Sequence, residues 1–275
     1  MQTEAALRLA VWTDRSLDDL ANRLTEEGAI VGVSVERWDR WECQRRLSSG
    51  LADVALVATV GVLSEADDFD VYPGLAISSW CSDTARILLR NGLGGKADTV
   101  ACDVRYGQEA FLARIVLREH YSLTPSFLPI EHASAQRLLD SQADAVLFAG
   151  EDIPREVPAG PLEVELDLGQ EWFEHTGYPM VWGLFVSRRG ESELRVLRML
   201  QSVAADLAAR LHDIEDLVND ASIRYELDDL ALAGLTEMSD IVYFYQVTEE
   251  VPILQFATDP DDEPDPREDD GSLSE

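Results

Sequence analysis

Met180-Val181-Trp182-Gly183-Leu184-Phe185-Val186 is an unbroken apolar run of strand length. A strand of that kind has to be covered on both faces, which restricts the chain to layered folds with helices or further sheet on each side. Just before it, Thr176-Gly177-Tyr178-Pro179 must end any helix, because Gly177 is free to take positive φ and Pro179 has no N–H to continue the ladder. Residues 166–176 read as the end of a strand followed by a short helix. A polar turn feeding a buried strand is a common place for a pocket. Thr176 and Gly177 are therefore candidate ligand contacts, with an ordinary helix-to-strand connection as the alternative.

The first sixty residues alternate strand and helix. Residues 7–12 form a strand pattern, and Thr13 or Ser16 can cap a helix over 17–27. A second strand follows at 31–37, a helix at 40–48 and a buried strand at 53–58 that opens through Thr59 onto another short helix. A βαβαβ opening implies a parallel sheet with right-handed crossovers, and ligands of such sheets lie beyond the carboxyl ends of the strands. Trp12, Thr13 and Thr59 are pocket candidates on that ground, and a further strand follows over 75–79. After a strand at 85–90, Asn91-Gly92-Leu93-Gly94-Gly95 breaks the pattern, and the alternation restarts: strand 99–103, helix 108–120, strand 126–129, helix 134–140, strand 143–149.

Two α/β lobes with a cleft between them follow. Residues 1–90 and 187–258 form the first, 91–186 the second, and 259–275 a disordered acidic tail. Leu194, Leu197, Leu200, Val203, Leu207, Leu211 and Ile214 lie on one face of an amphipathic helix over 192–217, a packing face. A helix over 222–235 is expected next, 239–245 reads equally as helix or strand, and 251–256 docks the end of the fold.

Charge limits the partners. Fifty-three acids against 22 bases give a net charge of −31, which excludes nonspecific binding to nucleic acid or an anionic membrane. Lys96 is the single lysine. An acid-rich, lysine-poor chain fits work in high salt, where charges are screened within roughly 3 Å at 1 M, and a high-GC genome explains the arginine bias equally well. The tail holds nine acids and one arginine, with Pro260, Pro264 and Pro266. No apolar run reaches the roughly 20 residues of a membrane helix, and the N-terminus reads as a first strand rather than a leader, so a cytoplasmic protein is expected.

Metal chemistry finds little support in the sequence. Cys43, Cys81 and Cys102 lie far apart, and His120, His132, His175 and His212 form no ligand pair. His175, beside Thr176, is a candidate base or donor, or a surface helical histidine. An anion site is expected at Arg105-Tyr106-Gly107-Gln108, where a strand end meets a helix start with free N–H groups. Arg86 would add a bidentate partner, the alternative for both arginines being an ion pair with a neighbouring acid.

Several short motifs together resemble one family. Asp53-Val54-Ala55-Leu56-Val57, Pro73-Gly74-Leu75-Ala76-Ile77-Ser78-Ser79, Asp144-Ala145-Val146-Leu147-Phe148-Ala149-Gly150 and Asp167-Leu168-Gly169-Gln170-Glu171-Trp172 with Thr176-Gly177-Tyr178-Pro179 resemble, in order, the chorismate dehydratases of the futalosine route to menaquinone. The resemblance implies a two-lobed periplasmic-binding-protein type II fold with a ligand cleft between lobes. It also implies a lyase that eliminates water from chorismate to leave a carboxyvinyloxy-benzoate, with no metal or organic cofactor and a small anionic carboxylate as substrate. The chain departs from that family at three pocket positions. Its Ser-Tyr-Leu-Asn motif corresponds to Thr13-Asp14-Arg15-Ser16, a serine near the hinge corresponds to Arg86 or Ala85, and its Ser/Thr-rich helix start corresponds to Tyr106-Gly107-Gln108-Glu109. Ser16 and Arg86 are thus the expected catalytic positions, with Trp12, Thr13, Thr59, Ser79, Tyr106, Gly107, Gln108, Thr176 and Gly177 as substrate contacts. A cytoplasmic binding or regulatory protein for an anionic aromatic or cyclic acid, on the same scaffold, is the alternative.

Overall fold

The buried run identified above is the middle of a sheet. A computed structural model of the chain describes residues 6–82, 84–150, 163–209 and 223–259. In it Met180–Arg188 (β10) is buried along its length up to Ser187 and lies between two antiparallel neighbours, Val54–Ala58 (β3) and Phe69–Ser79 (β4). β3 pairs in parallel with Leu7–Trp12 (β1), and β1 pairs in parallel with Val33–Trp38 (β2). Arg224–Glu226 (β11) adds to the far side of β4, and Gln255–Phe256 (β12) runs parallel beside it. Helices Asp18–Val31 (α1) and Leu194–Ala208 (α7) pack on each other and onto β2 and β4. Arg40–Ser48 (α2) lies on β1 and β3, while Thr59–Ser64 (α3) and Asp229–Phe244 (α8) pack together against β10.

The second sheet has five strands. Thr99–Asp103 (β6) is flanked in parallel by Ser126–Ile130 (β7) and Ala145–Ala149 (β8); Ala85–Leu89 (β5) is antiparallel to β8 and to Val164–Asp167 (β9). Gly107–Glu119 (α4) and Leu168–Thr176 (α6) pack on each other and on this sheet, and Ala135–Leu139 (α5) sits over β6 and β8. β5 pairs within the second sheet and β10 within the first. The main core nevertheless runs through both sheets, from Leu9, Leu56 and Phe185 to Ile87, Val100 and Leu147.

Three expectations change. The strand over 75–79 begins at Phe69, because β4 continues through Pro73-Gly74 with an irregular register against β10. The helix expected over 222–235 starts later: the Asp228 carboxylate accepts from Ala231 N at 2.9 Å and opens α8, which leaves Arg224–Glu226 to extend the sheet edge. Residues 239–245, read as helix or strand, belong to α8 and its C-terminal cap. The amphipathic helix is seen to Ala208; its continuation over 210–217 and the tail from 260 lie outside the described residues, while Asp259 accepts from Arg198 Nε at 2.9 Å.

Phe185 is fully buried at the centre of β10. Phe185→Ala is expected to lower stability by about 3–5 kcal/mol, read as a lower urea midpoint at unchanged slope.

Candidate functional site

The carboxyl end of β1 delivers Trp12 and, just beyond it, Asp14. Beyond the neighbouring strand β2, α2 begins at Arg40, whose Nε donates to Asp14 Oδ2 at 2.8 Å and whose second terminal nitrogen lies 2.7 Å from the same oxygen. Oδ1 of Asp14 accepts no hydrogen bond among the described residues. The remaining terminal nitrogen of Arg40 meets Glu109 in the first turn of α4, so this guanidinium spans the two sheets. Its carbon lies 4.5 Å from the Trp12 ring centroid and 5.8 Å from that of Tyr106, within cation–π range of both.

Burial works against the Arg40 charge, but Asp14 and Glu109 outweigh it and raise its pKa above the ordinary value. Burial likewise raises the Glu109 carboxyl, against the pull of Arg40, and pushes Tyr106 up to about 12. One buried cation thus serves two carboxylates. Gln108, next in α4, bridges the sheets a second time: its Oε1 accepts from Val60 N and its Nε2 donates to Trp182 O, both at 2.9 Å.

Two cavities flank this pair. One, of about 90 Å³, is lined by Trp12, Asp14, Ser16, Arg40, Ser79 and Trp182 among others. Trp182 Nε1 donates to Ser79 Oγ at 2.8 Å, which fixes one wall. A Cβ at Gly183 would stand 2.5 Å from the Trp12 indole, so the close approach of β10 to that ring requires glycine. The other, of about 110 Å³, is lined by Thr13, Asp39, Trp41, Arg105 and Tyr106, and shares Asp14 and Arg40 with the first.

The structure brings together Trp12, Ser16 and Ser79 in the first cavity and Thr13 and Tyr106 in the second. Arg86 stands apart. The pleat of β5 sends Ala85, Ile87 and Leu89 into the main core and Leu88 into the separate outer cluster, so Arg86 falls on the outer side, where it donates to Glu165 at 2.8 Å. Arg105 is held by both oxygens of Asp103, so the anion site expected at this helix start already has its acid, and Gln108 joins the lobes. Gly107 opens α4 and Thr59, fully buried with its hydroxyl unpartnered, opens α3; neither is among the residues lining these cavities. Thr176 and Gly177 form the end of α6: Gly177 takes φ 78° and caps the helix, and Thr176 Oγ1 donates to Trp172 O and accepts from Tyr178 N. That turn abuts α8, where a Cβ on Gly234 would meet Pro179 O at 2.6 Å, and the described cavities lie elsewhere. His175 is exposed, its ring 5.3 Å from that of His120. Sequence reasoning missed Arg40, whose partners are 26 and 69 residues away.

The chain matches, over residues 32–245, a family described as menaquinone biosynthesis. Among solved structures it is similar to protein AF1704 of Archaeoglobus fulgidus, with 17% identity and a TM-score of 0.63, covering 88% of this chain and 98% of that one. It is also similar to the alkanesulfonate-binding protein SsuA of Xanthomonas axonopodis pv. citri bound to MOPS, with 13% identity, a TM-score of 0.58 and coverage of 91% and 96%. The periplasmic aliphatic sulphonate binding protein SsuA of Escherichia coli gives 12%, 0.56, 94% and 96%. At these identities the likeness is one of fold, the two-lobed α/β fold of periplasmic binding proteins. No helix among the described residues is long and apolar enough to cross a membrane.

Asp167 links the cavity wall to α6. Its carboxylate accepts from Ser82 N, in the wall of the first cavity, at 2.9 Å and from Gln170 N at 2.8 Å. Burial raises its pKa to about 6, against those N–H groups and Arg86. Unfolded, the group titrates near 3.8, so between about pH 4 and 6 the folded chain keeps a proton the unfolded chain has lost, and stability falls as pH rises through that window. At fixed salt, the melting temperature relative to Asp167→Asn, which keeps an N-cap acceptor, is expected to drop from pH 4 to 7. Parallel curves would show that Asp167 titrates normally.

Proposed function

This chain belongs to the menaquinone biosynthesis family, and we propose that within it the chain is a chorismate dehydratase-like lyase acting on chorismate or a close cyclic dicarboxylate. The observation that carries this reading is the first cavity: two indoles wall a space into which a carboxylate and serine hydroxyls converge at the carboxyl end of β1. Asp14 is the base. Arg40 orients it through Oδ2, while Oδ1 takes the proton from the ring carbon that carries the ether oxygen. The electron pair of that C–H bond completes the aromatic ring as the neighbouring C–O bond breaks. The departing hydroxide takes a proton from Asp14 through Ser16, so one water leaves and Asp14 is again a carboxylate.

Trp12 and Trp182 exclude solvent and hold the ring in one orientation; because aromatisation is downhill, positioning contributes much of the rate. Arg86, on the outer side of β5, has no part in the step. A binding role on the same scaffold is the second reading, favoured by the fold shared with proteins named for sulfonate binding.

Incubation of the purified protein with chorismate at low and high salt is expected to yield the dehydrated aromatic acid. Asp14→Asn should lower kcat by roughly 10²- to 10⁴-fold, the ordinary range for a general base, with Ser16→Ala less affected. Saturable chorismate binding without product would instead assign the binding role.

A further inference from the structure

Arg40 is fully committed in this structure, and its two partners are unlike. Asp14 belongs to the same lobe and follows β1 directly. Glu109 belongs to the other lobe and reaches Arg40 only because the lobes are together. Glu109 and Arg40 are 2% and 12% exposed in their side chains, so the acid lies in the cleft with the cation as its one charged partner of opposite sign among the described residues. The groups facing Glu109 are Arg40 from α2, Asp14 from the loop after β1, and the phenol of Tyr106 at the start of α4. Burial pushes the Glu109 carboxyl toward its neutral form and Arg40 chiefly opposes it, so Glu109 depends on this cation for its charge. The cation also borders both cavities, and Trp12 beneath it carries a buried Nε1 with no hydrogen-bond partner.

We propose that Arg40 is the receptor for a carboxylate of the ligand and that Glu109 is a resident placeholder, exchanged for that carboxylate when the lobes open and close again. The inference rests on the site assigned above, but it concerns binding, and it holds whether or not the ligand is turned over. Opening withdraws α4, taking Glu109 and the Gln108 bridges with it, and leaves Arg40 on the first lobe with Asp14. The incoming carboxylate takes the terminal nitrogen that Glu109 gave up. Closure then buries Glu109 without its cation, so it enters as the neutral acid and binding takes up one proton.

The test uses benzoate as the carboxylate probe and benzamide as its neutral counterpart, followed by tryptophan fluorescence on the whole chain. Benzoate is expected to bind at least about tenfold more tightly than benzamide. Glu109→Gln, which keeps a hydrogen-bond acceptor at Arg40 and removes the competing charge, should tighten benzoate by about tenfold and leave benzamide unchanged. Calorimetry in two buffers of different ionisation enthalpy should show uptake of about one proton by the wild type and none by Glu109→Gln. Arg40→Gln combined with Glu109→Gln removes both charges together and should bind benzoate no better than benzamide.

Equal benzoate affinity in wild type and Glu109→Gln, or no proton uptake by the wild type, would overturn the proposal. Product formation by the double variant at unchanged KM would overturn it too and leave the lyase reading standing. Benzoate exchange intact with no product from chorismate would do the reverse.

Discussion

A single guanidinium holds the two halves of this protein in register. Arg40 lies on an indole face, is anchored by a carboxylate of its own lobe and reaches across to Glu109 of the other. Removing one member of such a buried set typically costs about 3–5 kcal/mol, because the charge left behind has no water to return to. The neighbouring Gln108 bridges add geometry rather than charge, fixing the N-terminus of α4 over α3 and β10. These contacts share one helix end, beside a hydrophobic core that runs through both sheets, so whatever loosens Glu109 bears on the cleft. Binding chemistry and lobe closure therefore meet at the same atoms.

Much of the frame was legible from local pattern. The apolar run of β10, the alternation that builds β1, β2 and β3, and the restart after the glycine-rich connector follow from periods of two and 3.6 that each segment carries by itself. The site was less so, because its charged centre joins residues 26 and 69 positions apart, and Arg40 in sequence is only the first residue of a helix. Arg86 shows a different lesson. Ala85, Ile87 and Leu89 alternate with it and mark the core face of the strand, so the pleat alone places Arg86 on the other side. Thr176 and Gly177 form the helix stop that their chemistry dictates, and a stop against α8 needs no ligand to explain it.

The departures from the expected family motif acquire a common physical sense once the centre is seen. Where the motif carries asparagine, this chain has Ser16 at the wall of the first cavity; where it carries a hydroxyl-rich helix start, this chain has Tyr106 and the pair Gln108 and Glu109. Neutral donors have given way to a salt-linked set whose donor is Arg40, from an element outside the motif. The scaffold is that of the family, while the donors at these positions are of another kind.

Net charge gives this arrangement its last constraint. At −31 the surface repels any dicarboxylate at a distance, and an accessible arginine on such a chain is claimed by a neighbouring acid, as the half-buried Arg86 and Arg105 are. A cation can serve an anionic ligand here only if it is shielded from casual partners and occupied by one it can release. Burial beneath α4, on the face of Trp12, does the first; Glu109, carried on the lobe that moves away, does the second. Salt acts on the two parts unequally: at 1 M the outer field dies within roughly 3 Å, whereas charges in contact inside the cleft are little screened. An acidic protein in concentrated salt can thus admit an anion through a surface whose repulsion has been silenced and hold it at a guanidinium whose attraction has not.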